Sequence, residues 1–175
     1  KIDYLENTIN NNQSLPASVK SILNNNKFNG VHNIIGKLID MKEEYATCIS
    51  TALGASSSYL VVDSREDAKV LVNYLKENNI GRATFFPLDV IKPRTIDLET
   101  LSKLSTQTAF ISTADKLTTY KPTYQNIILN QLGNVIITDN ISNANYLSEL
   151  VNHRYKVVTL DGQVVNVGGS ITGGK

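Results

Sequence analysis

Two stretches of this chain follow one plan, with matching residues at several positions, and that repetition limits the fold more than any single motif does. Leu53-Gly54, Val61-Val62-Asp63, Ala68 and Leu88-Asp89 correspond to Leu132-Gly133, Ile137-Thr138-Asp139, Ala144 and Leu160-Asp161. In each half the alanine lies five residues after the aspartate. Tyr59-Leu60-Val61-Val62 reads as a short buried strand, and Ala68, Leu71, Val72 and Leu75 recur at helical steps. Asn78-Asn79 and Gly81 end that helix, and Ala83 to Phe86 reads as the returning strand. The second half repeats this with a strand at Val135–Thr138, a helix through Ala144, Leu147, Leu150 and Val151, and a strand at Lys156–Leu160. Each half is therefore a βαβ unit, and internal duplication or convergence on one βαβ plan explains the pair. The expected class is α/β (α+β), with two similar βαβ-containing lobes. At 175 residues and 41% hydrophobic the chain can fill one domain or two small lobes sharing an interface.

The flanking segments complete the plan. Ile34-Ile35 and Leu38-Ile39 around Gly36 suggest a strand or bent strand pair, and Glu43 to Leu53 suggests a helix stopped by Gly54. Ile127, Ile128 and Leu132 form a helical face that ends at Gly133. Residues 1–27 read as an arm: Ile2, Leu5 and Ile9 make one stripe, and Ser14 before Pro16 caps a second short helix with Val19, Ile22 and Leu23. Lobe one is expected over about 28–90 and lobe two over about 122–175. Between them, 91–121 reads as a solvated connector carrying Lys92, Arg94, Lys103, Lys116 and Lys121. A start on Lys1 without Met and an end on Gly173-Gly174-Lys175 suggest a piece of a longer protein.

Composition excludes several functions. Seventeen basic against sixteen acidic residues leave a net charge of +1, unlike a histone-type nucleic-acid binder. One cysteine, Cys48, allows neither an internal disulfide nor a cysteine zinc site, and it sits in an apolar helical setting. His32 and His153 lack metal-binding or catalytic spacing, and Ser56-Ser57-Ser58 lacks a nucleophile elbow. No apolar run approaches the roughly 20 residues of a membrane span, and no signal peptide opens the chain. Gly169 to Lys175 satisfies GxxxxGK. A phosphate-binding loop also needs a following Ser or Thr and a helix N-terminus, so a nucleotide-binding α/β domain is the lesser of two alternative readings, behind a DNA-binding module of weak, salt-dependent affinity. No catalytic residue, metal or cofactor is expected.

The C-terminal glycines are more telling. Gly168, Gly169, Gly173 and Gly174 follow the strand-like Val164-Val165-Asn166-Val167. Glycine is costly to order, so such a cluster answers a demand for positive φ or for close backbone approach. A strand edge beside bare backbone invites pairing with another chain.

These residues resemble the block that closes the hinge domain of SMC (structural maintenance of chromosomes) proteins: Val158-Thr159-Leu160-Asp161-Gly162, then Val164 to Gly174. Phe28-Asn29-Gly30-Val31-His32 with Gly36, Ala52-Leu53-Gly54, and Gly81 to Asp89 (GRATFFPLD) agree with further family blocks in order and spacing. The pattern is most like that of bacterial chromosome-partition members. Departures are Val167 for the usual proline, Ile171 for methionine, and the three serines for a more apolar stretch.

The resemblance implies a hinge at residues 28–175 set in a coiled coil, with 1–27 as arm stub and the helix leading into the globular part. It implies a homodimer closed as a two-fold ring. By that analogy Gly168, Gly169, Gly173, Gly174, Val165 and Val167 lie at the dimer interface, and Gly30, Gly36 and Gly54 are structural. Lys20, Lys27, Lys92, Arg94, Lys116 and Lys121 become candidate contacts for weak, salt-dependent DNA binding. The full protein would be a cytoplasmic, nucleoid-associated ATPase with distant heads, a kleisin and accessory subunits. The hinge itself would be neither catalytic nor membrane-bound.

Overall fold

The computed structural model describes residues 15–174. The stripe of Ile2, Leu5 and Ile9 and the cap expected at Ser14 lie outside the described residues. Lobe one runs α1 (Ala17–Leu23), β1 (Val31–Ile34), α2 (Ile35–Leu38), β2 (Ile39–Met41), α3 (Ala46–Leu53), β3 (Leu60–Val62), α4 (Arg65–Glu77) and β4 (Phe85–Pro87). Lobe two runs α5 (Leu98–Ser105), β5 (Ser112–Thr113), β6 (Thr118–Tyr120), α6 (Gln125–Leu132), β7 (Ile136–Thr138), α7 (Ile141–Leu150) and β8 (Val157–Thr159). It then adds β9 (Val164–Val165) and β10 (Ile171–Thr172), which have no counterpart in lobe one.

The repetition extends further than the βαβ units. In lobe one β1 is antiparallel to β3, and β3 is parallel to β4. In lobe two β5 is antiparallel to β7, and β7 is parallel to β8. A 3₁₀ turn (Ala114–Leu117) stands where lobe one has α2. The remaining strands, β2 and β6, pair antiparallel across the lobes with Asp40 opposite Thr119, so the inter-lobe ribbon is itself two-fold. α3 packs against α6 beside it. Lys37-Leu38, Lys42, Tyr45 and Ile49 recur here as Lys116-Leu117, Lys121, Tyr124 and Ile128.

Helix starts follow local chemistry. Ser64 accepts the Asp67 N–H at 3.1 Å and donates to Asp67 Oδ2 at 2.9 Å, capping α4. Asp97 accepts the Thr100 N–H at 3.0 Å for α5, and Asn140 accepts the Asn143 N–H at 2.9 Å for α7. The bonds to Thr100 hold the Asp97 carboxyl below its usual range.

Four expectations change. The stretch 91–121 is not a plain connector: it carries α5, β5 and β6 and buries Ile96, Leu104 and Ala114. α5 is the counterpart of α1, which belongs to lobe one rather than to an arm, since Val19 and Ile22 join its core. Ser18 Oγ donates to the Arg82 carbonyl at 2.6 Å, and Arg154 Nη2 donates to Thr100 Oγ1 at 2.9 Å, so each helix is tied just ahead of its lobe's last β–α–β strand. The bent strand pair around Gly36 is interrupted by the single turn α2, because the chain must leave sheet one and enter the ribbon. Val72, read as core, is 47% exposed, whereas Leu71 and Leu75 are buried.

One core joins the lobes. Ile34, Ile49 and Leu60 pack in the same cluster as Ile127, Leu132 and Ile137. A second cluster (Leu104, Ile136, Leu147, Val157 and Val165 among its members) fills the far side of lobe two. Each such buried side chain contributes about 1.5–3 kcal/mol. Polar ties cross as well: His32 Nδ1 lies 2.8 Å from the Tyr124 hydroxyl of lobe two, while its Nε2 lies 2.6 Å from Asp63 Oδ1 within lobe one. Lys156 Nζ donates to the Ala52 carbonyl in the last turn of α3 at 3.0 Å, and burial lowers the pKa of that amine.

Gly30 is required on two counts. Its φ is +78°, and a Cβ there would stand 2.5 Å from Asp67 Oδ2, the carboxylate already held by Ser64. Gly30→Ala should therefore destabilise the protein by about 2–3 kcal/mol in urea unfolding, against about 1 kcal/mol for Ser64→Ala. Equal losses would mean that the close approach costs nothing.

Candidate interface at the open sheet edges

Strand order leaves one edge open at the end of each lobe's chain path. Sheet one is ordered β1-β3-β4, and sheet two β10-β9-β8-β7-β5. In sheet one the Leu60 N–H donates to the Thr84 carbonyl at 3.0 Å and the Leu88 N–H to the Val62 carbonyl at 2.9 Å. Residues 84, 86 and 88 thus turn their backbone groups inward, and the alternation turns those of Phe85 and Pro87 outward. Pro87 has no N–H to offer there, which is the position a strand proline tolerates.

In sheet two the edge is β10, held by a hairpin that the sequence specifies closely. The Asn166 N–H donates to the Ser170 carbonyl at 2.7 Å, and the Gly169 N–H to the Asn166 carbonyl at 2.9 Å. Asn166 Nδ2 adds bonds to the Ser170 carbonyl and Oγ, each 3.2 Å, and to Thr172 Oγ1 at 3.1 Å. Gly168 and Gly169 make the turn at φ +91° and +106°. The Gly168 N–H donates to the His153 carbonyl at 2.8 Å, fastening the turn to the body of lobe two. By the same alternation the N–H and C=O of Ile171 and Gly173 face away from β9. Val167 and Ile171, 64% and 56% exposed, flank the turn.

The sequence-predicted interface residues divide on this geometry. Gly168, Gly169, Gly173, Gly174 and Val167 all lie on the hairpin and its exposed edge. Val165 is a correction: it is 1% exposed, its side chain lies in the lobe-two core, and its backbone lies between β8 and β10. Neither side chain nor backbone is left for another chain. The expected close approach is also absent within the protomer at Gly168 and Gly174, where a Cβ would meet nothing within 4 Å. At Gly173 a Cβ would run into the Gln163 side chain, whose Oε1 accepts the Gly174 N–H at 2.8 Å. Gly30, Gly36 and Gly54 lie inside lobe one, at the start of β1, buried in α2 and at the end of α3.

The basic residues are scattered. Lys20, Lys27, Lys92, Arg94, Lys116 and Lys121 are all exposed, on α1, on loops and beside the ribbon. Lys121 shares a cleft of about 510 Å³ with Lys37, and Lys116 borders a neighbouring one of about 420 Å³ together with Asp115. Lys37 was missed by sequence reasoning, although the repeat of Lys37-Leu38 as Lys116-Leu117 signalled it. The β4 edge was missed too, although Pro87 inside a strand pattern is its signature. Of the GxxxxGK segment, residues 169–174 form the end of the glycine turn and β10. Burial pushes the Cys48 thiol up to about 11, which disarms it as a nucleophile. No helix of the described residues is long and apolar enough to cross a membrane.

Residues 28–148 match the family described as SMC proteins Flexible Hinge Domain. The chain is 39% identical over 175 residues to the Chromosome partition protein Smc of Bacillus subtilis, a match covering 99% of this chain and 15% of that protein. It spans 12 to 18% of the length of the first curated relatives that it matches. Among solved structures it is similar to an asymmetric dimer of the Geobacillus stearothermophilus SMC hinge domain, with 39% identity and a TM-score of 0.90 over 98% of this chain and 71% of that one. The Pyrococcus furiosus SMC hinge domain follows at 25% identity and a TM-score of 0.77, over 98% of this chain and 85% of that one.

Asn166 is the side chain on which the hairpin depends. Asn166→Ala should speed amide exchange across β9 and β10 by about tenfold, the loss of one to two net hydrogen bonds, while amides of β3 and β7 keep their rates. Unchanged exchange at β10 would mean that the glycine turn holds itself.

Proposed function

The chain belongs to the hinge family of SMC proteins, and on that premise we propose that its work is to join two copies of itself through the open edges of β4 and β10. One observation carries this reading. The repeat makes β4 the counterpart of β8, and β8 goes on to carry β9 and β10 while β4 carries no further strand among the described residues. Each copy has a strand position unfilled in lobe one and an open edge strand in lobe two. Two copies placed head to tail satisfy both positions twice, and the arrangement closes as a two-fold ring. An edge left bare is otherwise a liability in water.

The function is mechanical rather than catalytic. Set in a longer chromosome-partition protein, the hinge would hold two coiled-coil arms so that distant ATPase heads, with a kleisin and accessory subunits, enclose DNA on the bacterial nucleoid. The interface needs no cofactor, because backbone hydrogen bonds and apolar side chains supply it.

Light scattering across a dilution series should give a mass near twice 19.3 kDa. Ile171→Pro should return it to 19.3 kDa with an unchanged circular dichroism spectrum. That substitution removes an outward N–H and leaves the bonds to β9 intact. A dimer that survives it would remove β10 from the interface.

Weak DNA binding is a second reading, favoured by Lys37, Lys116 and Lys121 around the ribbon. With a net charge of +1 it should fade by about 0.15 M salt. A gel shift of short duplexes that persists at that salt would make DNA binding the main role instead.

A further inference from the structure

Beyond the edges themselves, we infer that Ile171 of one copy seats its side chain in a specific cleft of the other, between α4 and the start of β4, opposite Phe85. The inference rests on the edge-pairing reading and adds to it a register and an anchor. The cleft, of about 600 Å³, is lined by Val72, Leu75, Lys76, Gly81, Arg82 and Ala83 among others. Val72, Leu75 and Ala83 give it an apolar part between the polar Lys76, Asn79 and Arg82, and Val72 is an exposed valine on a helix whose neighbours Leu71 and Leu75 are buried.

Lobe two displays what fills the equivalent place. Strand pairing equates Phe85-Phe86-Pro87 with Val157-Val158-Thr159, because each set lies beside equivalent residues of β3 and β7. Ala68 and Ala144 align the helices, so Leu71, Val72 and Leu75 stand where lobe two has Leu147, Ser148 and Val151. In lobe two Val165 lies opposite Val157 and packs in one cluster with Leu147 and Val151. After Val165 the chain runs through Val167 to Gly168, whose N–H reaches the His153 carbonyl. Arg154 matches Arg82, so His153 matches Gly81, one of the residues lining the cleft. Lobe one thus has every wall of this arrangement and lacks the Val165 side chain that occupies it.

A strand laid antiparallel on β4, as β9 lies on β8, must set a residue with outward backbone groups opposite Phe85. On β10 those are Ile171 and Gly173. Only Ile171 has a side chain to put in the cleft, and it is already 56% exposed. With Ile171 opposite Phe85, Gly169 stands opposite Pro87, where the missing N–H is tolerated. Gly173 and Gly174 then follow the course of Val167 and Gly168 past Gly81. Gly174 already has the φ that this course uses, +103° against +91° at Gly168.

The test places cysteines at both ends of the contact in the 175-residue chain. Val72→Cys with Ile171→Cys should give a covalent species of twice the chain mass with a short bismaleimide. Val70→Cys with Ile171→Cys should not, since Val70 is exposed on the same helix outside the cleft. Val72→Arg should weaken self-association by about thirtyfold or more, the effect of losing a buried anchor. If Val72→Cys fails to cross-link while the parent chain is a dimer broken by Ile171→Pro, the cleft assignment falls and the edge reading stands. A monomeric parent with no cross-link overturns both.

Discussion

The pairing of β2 with β6 is the contact on which the rest of the molecule depends. Two strands of three residues make a weak sheet by themselves. This ribbon holds because each strand ends the same turn from its own lobe and leads into the helix that packs beside it, α3 or α6. Asp40 opposite Thr119 marks a local two-fold axis, and everything duplicated falls on either side of it. A ribbon of this kind fixes the two sheets relative to each other. The shared core of Ile49, Leu53, Ile128 and Leu132 then makes the lobes one cooperative body rather than two beads.

That rigidity is what a mechanical joint requires. Edges that swivelled independently would charge each pairing the entropy of ordering a lobe, whereas edges held by one core present both docking positions at once. The same logic explains why lobe two contains the hairpin. β9 is buried between β8 and β10, so the glycine turn is carried on a finished sheet, and Asn166 and the His153 carbonyl fix its course. The flexible residue type appears where the backbone is most constrained. Gly168 and Gly169 supply a turn that other residues make only under strain, and the bonds around them remove the freedom that glycine would otherwise keep.

Much of this was legible in the residues. The βαβ units showed through periodicity because α4 and α7 each bury one stripe, and the short apolar runs ended by Asp63 and Asp139 have the length of buried strands. The glycine block marked the edge. What escaped had weak local signals. α5 reads as a connector because its buried face is only Thr100 and Leu104, and its importance lies in Arg154, a residue 54 positions away. α2 looks like a strand because Ile34-Ile35 and Leu38-Ile39 are β-branched or apolar. Only tertiary geometry, the need to pass from one sheet to another, turns four residues into a helical turn. Val165 was assigned to the interface because it adjoins the glycines in sequence, yet one strand further in is already core.

The most informative feature is where the duplication stops. Up to β4 and β8 the lobes agree in order, in strand direction and in the arginine ahead of the last β–α–β strand. After that, lobe one passes through Asp89 and Pro93 to α5, whereas lobe two turns at Gly162 and lays down two more strands. A fold that had merely lost a hairpin would be expected to close the exposed β4 edge with charge, a bulge or a covering loop. Lobe one instead keeps Phe85 and a cleft beside it with Val72, Leu75 and Ala83 in its lining, and Pro87 removes just one donor from the edge. The unfilled place is shaped like the filled one, and the departure from symmetry within one chain becomes the complementarity between two.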